Sequence, residues 1–189
     1  AASFHMRIIA GKYKGRVLKS PAGVKTRPTS DRLRETLFNI IGPSIDSETR
    51  FVDLCAGTGA VGIEALSRGA SHATFVDRSK RACELIEVNL DLLSVPEGET
   101  QVNCMTAETF AARDHESPGD FVFFDPPYDS DYGPAFLEIA DPKSTLLARE
   151  GVLIVEHHAK AQIPDAVGEL RRWRIVKQGE SWLSFYERR

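Results

Sequence analysis

Long apolar runs are missing from this chain. No stretch approaches the roughly 20 consecutive apolar residues of a membrane helix, so no membrane partner is expected. Cysteine is scarce too. Cys55, Cys83 and Cys104 are neither paired in sequence nor grouped with histidine at metal-ligand spacing. A disulfide scaffold and a zinc site are both unexpected, and the thiols suit a reducing cytoplasmic compartment as structural residues. Internal repeats and low-complexity tracts are absent as well, which excludes a solenoid. The opening residues, Ala1 to His5, lack the basic and apolar regions of a secretory signal. Since Met6 opens a plausible strand, residues 1–5 are expected to be an expression remnant. The 189 residues, 42% hydrophobic and 27% charged, suffice for one sizeable core and a small appendage, and a monomer is expected.

Charge is unevenly spread. The net value is -3, yet residues 1–34 carry Arg7, Lys12, Lys14, Arg16, Lys19, Lys25, Arg27, Arg32 and Arg34 against the single acid Asp31. That segment is +8 and the remainder -11. A basic arm on an acidic body is easier to reconcile with a nucleic-acid partner than the global charge is, although a solvated face also explains such a run.

The pattern predicts a hairpin over residues 6–19, with Gly11 and Gly15 framing Lys12-Tyr13-Lys14, then a loop to Pro28 and a helix at about 31–41. In that helix Leu33, Leu37, Phe38 and Ile41 form an apolar stripe, Arg32 and Arg34 should point elsewhere, and Gly42-Pro43 stops it. Residues 6–42 are therefore expected to be a basic N-terminal extension, and residues 43–189 the main domain. From Arg50 the chain alternates strand and helix. Strands are predicted at 51–54, 72–76, 101–104, 121–124 and 152–156, and helices through Leu66, at 80–93, 107–112 and 134–147. Two closing strands, 171–177 and 181–186, are joined tightly at Gln178-Gly179 and should be antiparallel. Trp173 and Trp182 on those strands are expected in the core. The fold class is α/β, with a mostly parallel sheet.

After the first of these strands comes Asp53-Leu54-Cys55-Ala56-Gly57-Thr58-Gly59. Glycines between a strand and a helix allow close backbone approach and free amide donors. No Gly-Lys-Ser/Thr follows, so this is no phosphate-binding P-loop, and the upstream Asp53 is foreign to the dinucleotide fingerprint. A carboxylate at position 53 would repel pyrophosphate but could hold an ammonium directly or through water. Asp77, at the end of the second strand, can accept both hydroxyls of a ribose. Arg78 and Ser79 would border an adenine, and Thr106 and Ala107 would line its edge. Ribose, adenine and a zwitterionic amino acid without phosphate describe S-adenosylmethionine.

The run Phe121-Val122-Phe123-Phe124 reads as a central strand, and it delivers Asp125-Pro126-Pro127-Tyr128 to its carboxyl end. Such a turn can grip a flat base bearing an exocyclic amine. Asp125 and the Pro126 carbonyl accept the two amine hydrogens, Pro127 stiffens the turn, and Tyr128 stacks on the ring. Asp125 also adjoins the cofactor. Arg27, Arg32 and Arg34 are candidates for RNA phosphates, with Lys12, Lys14 and Arg16 further out. His157-His158 lacks an evident third ligand, so no metal is expected. Glu156 reads either as a polar strand terminus or as a neighbour of the base pocket.

At these residues the chain resembles the RsmD family of bacterial ribosomal RNA methyltransferases. The likeness runs from Met6 to the C-terminus through Met6-Arg-Ile-Ile9, Thr26-Arg-Pro-Thr29, Arg34-Glu-Thr-Leu-Phe-Asn39, Asp53 to Gly59, Glu64-Ala-Leu-Ser-Arg-Gly69 and Asp125 to Tyr128. It implies a Rossmann-like class I S-adenosylmethionine-dependent methyltransferase, with a seven-stranded sheet whose last two strands are swapped. It further implies methyl transfer to N2 of one guanine in 16S ribosomal RNA within an assembled or nearly assembled small subunit. Many relatives have phenylalanine where Cys55 stands and glutamate where Asp77 stands. The competing readings are an adenine-N6 DNA methyltransferase, for which the chain has little room beyond sheet and arm, and a non-catalytic RNA-binding assembly factor.

Overall fold

The computed structural model describes residues 6–21, 30–127 and 131–189. The expected remnant at residues 1–5, the loop holding Arg27 and the aromatic Tyr128 lie outside them. The chain opens with a short hairpin, β1 (Met6–Arg7) and β2 (Val17–Leu18), with Met6 opposite Leu18. It is shorter than the sequence suggests: the Ile8 amide still donates to the Arg16 carbonyl at 3.0 Å, but those of Ile9 and Ala10 donate to the Glu64 carboxylate at 2.9 and 3.1 Å.

Helix α1 (Asp31–Ile41) follows, with Ser30 capping it by accepting the Leu33 amide at 3.1 Å. Then come β3 (Arg50–Leu54), α2 (Ala60–Ser67), β4 (His72–Asp77), α3 (Lys80–Leu92), β5 (Thr100–Cys104), α4 (Ala107–Ala111), β6 (Gly119–Phe124), α5 (Gly133–Ala140) and β7 (Leu147–His158). The chain ends in β8 (Ala166–Val167), β9 (Leu170–Gln178) and β10 (Ser181–Arg188). Helix α5 stops at Ala140 and does not continue to 147 as the sequence predicts. Asp141 precedes Pro142 and is driven to an extended ψ of 130°, which ends the helix.

The main sheet has the order β5-β4-β3-β6-β7-β10-β9-β8. Strands β3 to β7 are mutually parallel, and β10 runs antiparallel between β7 and β9. Among the described residues this sheet has eight strands where seven are expected, because the two-residue β8 adds an edge against β9.

Alternate sheet residues face two helical layers. Phe51, Phe121 and Phe123 pack with α1 and α2, and Ala73 and Phe75 pack with α2 and α3. Val52, Leu54, Val122 and Phe124 pack with α4 and α5 on the other face. The hairpin's Met6, Ile8 and Leu18 belong to the same cluster as Phe75 and Ile86, so the N-terminal segment is packed into the body. Trp173 is not in the core as expected but 40% exposed. Its position falls at the bulge where β9 slips against β10, between the Phe185–Arg174 and Tyr186–Arg172 pairs. Trp182 is half-buried, with the Lys177 ammonium 4.6 Å from its ring centre. Among the described residues no helix is long and apolar enough to cross a membrane.

Candidate active site

Crossovers from β3 through α2 and α3 occupy one face, and those through α4 and α5 the other. The order therefore reverses between the neighbouring strands β3 and β6, and a crevice opens at their carboxyl ends. Both sequence motifs leave the sheet there. The glycine loop follows β3, the Asp125 turn follows β6, and the Asp125 amide reaches the Leu54 carbonyl at 3.4 Å.

The loop is wound through left-handed backbone at Cys55 (φ 61°), Gly57 (58°) and Gly59 (82°). A bond from the Ala56 amide to the Val76 carbonyl, 2.9 Å, and one from Gly59 to the Ala56 carbonyl, 2.8 Å, hold it against β4. A methyl group added at Gly57 would meet nothing within 4 Å, so the loop presents an open backbone there. Asp77 accepts the Gly57 amide on one carboxylate oxygen at 3.0 Å and the Ser79 amide on the other at 2.9 Å. Each oxygen keeps lone-pair capacity for a ribose hydroxyl.

Asp53 behaves differently. It is only 1% exposed, turned beneath the loop, where it accepts the Gly62 amide at 3.0 Å. Burial pushes its carboxyl well above the ordinary value of 3.8, the Gly62 amide opposes this, and the carboxylates of Asp77 and Glu156 add to it. Burial likewise pushes the Cys55 thiol up to about 12, with Asp77, Asp125 and Asp53 adding to the effect. A thiol so placed is no nucleophile near neutrality. The Asp77 carboxylate beside the open Gly57 backbone fits the ribose of S-adenosylmethionine.

The Asp53 carboxyl yields a pH prediction. Its folded-state pKa lies above the unfolded 3.8, so ionisation weakens folding as pH rises from 3.8 through the folded value, and at every pH above it. Asp53→Asn, neutral yet able to accept the Gly62 amide, is expected to raise the ligand-free melting temperature at neutral pH. That gain should vanish below pH 3.8, and cofactor affinity should fall. Calorimetric scans across pH check this, and a lower melting temperature for the variant at neutral pH contradicts it.

Several expected cofactor side chains are committed elsewhere. The Ser79 hydroxyl caps α3 by accepting the Ala82 amide at 3.2 Å, and Thr106 caps α4 by accepting the Thr109 amide at 3.1 Å. Thr58 turns its hydroxyl to the Met6 sulfur at 3.4 Å. Arg78 is exposed and Ala107 half-buried. In the turn after β6 Asp125 is half-buried, Pro126 buried and Pro127 exposed.

The basic residues divide. Lys12, Lys14 and Arg32 are exposed. Arg16, also exposed, donates to the Leu92 carbonyl at 2.8 Å, at the end of α3. Arg34 corrects the sequence expectation. It is fully buried, bonded to Asp31 and to the Arg7 carbonyl, with its Nε 3.6 Å from Glu64. It cannot reach a phosphate.

Glu64, also fully buried, takes Arg68 at 2.9 Å besides the Ile9 and Ala10 amides. The Glu64-Ala-Leu-Ser-Arg motif is thus a clasp for the hairpin. Ser67 joins it by donating to the Ala10 carbonyl at 2.6 Å and accepting the Tyr13 amide at 3.0 Å. Gly11 passes so close that a Cβ would sit 1.9 Å from the Ser67 carbonyl oxygen.

Buried Asn89 was not legible as a site neighbour. Its amide donates to the carbonyls of Thr58 (3.0 Å) and Lys19 (3.1 Å), and its oxygen accepts the Lys19 amide at 2.8 Å. It joins the arm to the glycine loop. A single acid in the apolar helix Ala60–Ser67 is a signal that could have exposed Glu64 as a buried, paired charge. No comparable signal marks Asn89. His157 is buried, with its ring nitrogens 2.7 Å from the Ser184 hydroxyl and 3.0 Å from the His158 carbonyl oxygen.

A family model described as Conserved hypothetical protein 95 matches residues 6–187. The chain is 39% identical over 186 residues to YlbH of Bacillus subtilis (strain 168), covering 97% of this chain and 100% of that one. It is 32% identical over 188 residues to Ribosomal RNA small subunit methyltransferase D of Escherichia coli (strain K12), covering 100% and 92%. The solved structure of the Escherichia coli protein yhhF superposes with a TM-score of 0.83 at 33% identity, over 98% of each chain. With the glycine loop, the Asp77 carboxylate and the Asp125 turn assembled at one switch point, the chain belongs to the RsmD-like family of ribosomal RNA methyltransferases.

Proposed function

We propose that this protein transfers a methyl group from S-adenosylmethionine to the exocyclic N2 amine of a guanine in 16S ribosomal RNA of the small subunit. The products are N2-methylguanine and S-adenosylhomocysteine. The observation that carries this reading is the meeting of the Gly57 loop and Asp77 with the Asp125 turn across neighbouring strands. The cofactor, when bound, supplies an electrophilic methyl group and a neutral thioether leaving group, so no metal is needed. Asp77 would hold the ribose, and the Gly57 backbone allows close approach.

Asp125 and the Pro126 carbonyl accept the amine hydrogens. This localises the nitrogen lone pair, which in the free base is delocalised into the ring. The Asp125 charge favours the cationic transition state, and solvent takes the proton afterwards. Placement and electrostatics supply most of the rate. A target in folded RNA must be unstacked or flipped to reach this turn. Tyr128, next in sequence, is proposed to stack on it.

Labelled S-adenosylmethionine and small subunits from cells lacking the enzyme, followed by nucleoside analysis, test the proposal. N2-methylguanine is the expected product, and N6-methyladenine overturns the assignment. The arm is proposed to bind phosphates through Lys12, Lys14, Arg27 and Arg32. Arg32→Ala is expected to weaken subunit binding and lower the salt slope by about one, with cofactor affinity unchanged within about twofold. Binding titrations at several salt concentrations check this, and equal losses for both ligands reject the division.

A further inference from the structure

The Asp125 turn accepts an amine but does not by itself distinguish guanine from adenine. The two bases differ at the neighbouring ring atom. Guanine N1 carries a hydrogen, whereas adenine N1 carries a lone pair. A second acceptor beside Asp125 would make that distinction.

Strands β6 and β7 are parallel and in register, with Phe124 opposite Val155. The next residues, Asp125 and Glu156, therefore leave two neighbouring strands at the same level, and neighbouring strands are spaced by about 4.8 Å. β6 ends at Phe124, while β7 continues to His158 along β10, so β7 projects beyond β6 next to the amine-binding turn. Alternation puts Glu156 on the same face as Ile154, whose cluster includes Phe123 and α1. The Glu156 carboxylate is half-buried and its charge is felt by Asp53, under the glycine loop.

We propose that Glu156 is a specificity-determining residue that accepts the N1 hydrogen of the target guanine while Asp125 and the Pro126 carbonyl hold its N2 amine. This rests on the guanine-N2 assignment above. Two acceptors on adjacent strands match two neighbouring donors on one base edge. Adenine would set its N1 lone pair against the Glu156 carboxylate. Sites built to bond a particular hydrogen reject analogues lacking it by up to about 10⁴–10⁵-fold.

The test uses small subunits reconstituted with 2-aminopurine in place of the target guanine. This base keeps the exocyclic amine but has a bare N1 and no O6. The intact enzyme is expected to prefer guanine by about 10³-fold or more in kcat/KM. In Glu156→Gln the amide can donate to a bare N1, so the preference should fall by about 10²-fold or more relative to the intact enzyme, and the missing O6, common to both enzymes, cancels in that ratio. Glu156→Ala should also lose the preference, but without gaining on 2-aminopurine. S-Adenosylhomocysteine affinity should stay within about twofold in both variants.

Equal rates on the two bases with the intact enzyme would overturn the inference without any variant having to fold. So would an undiminished preference in Glu156→Gln, or a loss of cofactor affinity that tracks the loss of rate. Failure of the intact enzyme to form N2-methylguanine on unmodified subunits would overturn the underlying assignment itself, and is distinguished by that product analysis.

Discussion

Asp125→Ala is expected to lower the single-turnover rate of methyl transfer by about 10²–10³-fold, the loss typical when one preorganised electrostatic contact to a transition state is removed. Asp125→Asn should lose less, because its carbonyl still accepts an amine hydrogen while the charge is gone. Neither change should unfold the protein. Asp125 is half-buried in a turn beyond β6, and its amide bond to the Leu54 carbonyl belongs to the backbone. Rapid-quench transfer of labelled methyl to subunits, with S-adenosylhomocysteine titrated in parallel, separates chemistry from binding. Undiminished transfer by the alanine variant would remove Asp125 from the mechanism.

The largest loss of stability is expected from Glu64→Ala, about 3–5 kcal/mol, the range for breaking a buried charge arrangement by removing one partner. The variant leaves Arg34 fully buried with, among the described residues, only the exposed Asp31 carboxylate paired to it, and deprives the Ile9 and Ala10 amides of their acceptor. Arg34→Ala should be costly for the same reason. The double variant should cost less than the sum, because each single change strands the other's charge. Denaturant unfolding of the three variants measures this. If Arg34→Ala spares stability but abolishes subunit binding, Arg34 belongs to the RNA surface after all.

Elements with a strong local signature were legible. Helix α1 lies where its apolar stripe and Gly42-Pro43 stop place it. A continuous apolar run marked β6 because both of its faces are covered. Helix α5 was overextended because Leu146 and Leu147 continue an apolar pattern that the Asp141-Pro142 step had already ended. The two-residue β8 has no signature, since it exists only as an edge against β9.

The site divides along the same line. Chemistry that follows from residue type and chain position was readable: glycines after a strand, a carboxylate at Asp77, and a carboxylate with two prolines after β6. What depends on partners distant in sequence was not. Arg34 reads as one more cation of a basic arm, and only the approach of α2 makes it a buried partner of Glu64. Asp53 reads as a partner for an ammonium, directly or through water, and only the fold turns it under the loop to hold Gly62.

By itself, then, the sequence determined the α/β class, the two motifs and the strand ends that carry them, because periodicity and local backbone preferences are encoded within a few residues. The tertiary structure alone decided which charges face solvent and which are sealed in the clasp. It also decided that Asn89 joins arm to loop and that β7 carries Glu156 past the end of β6. Burial, ion pairing and strand register arise only when distant segments meet.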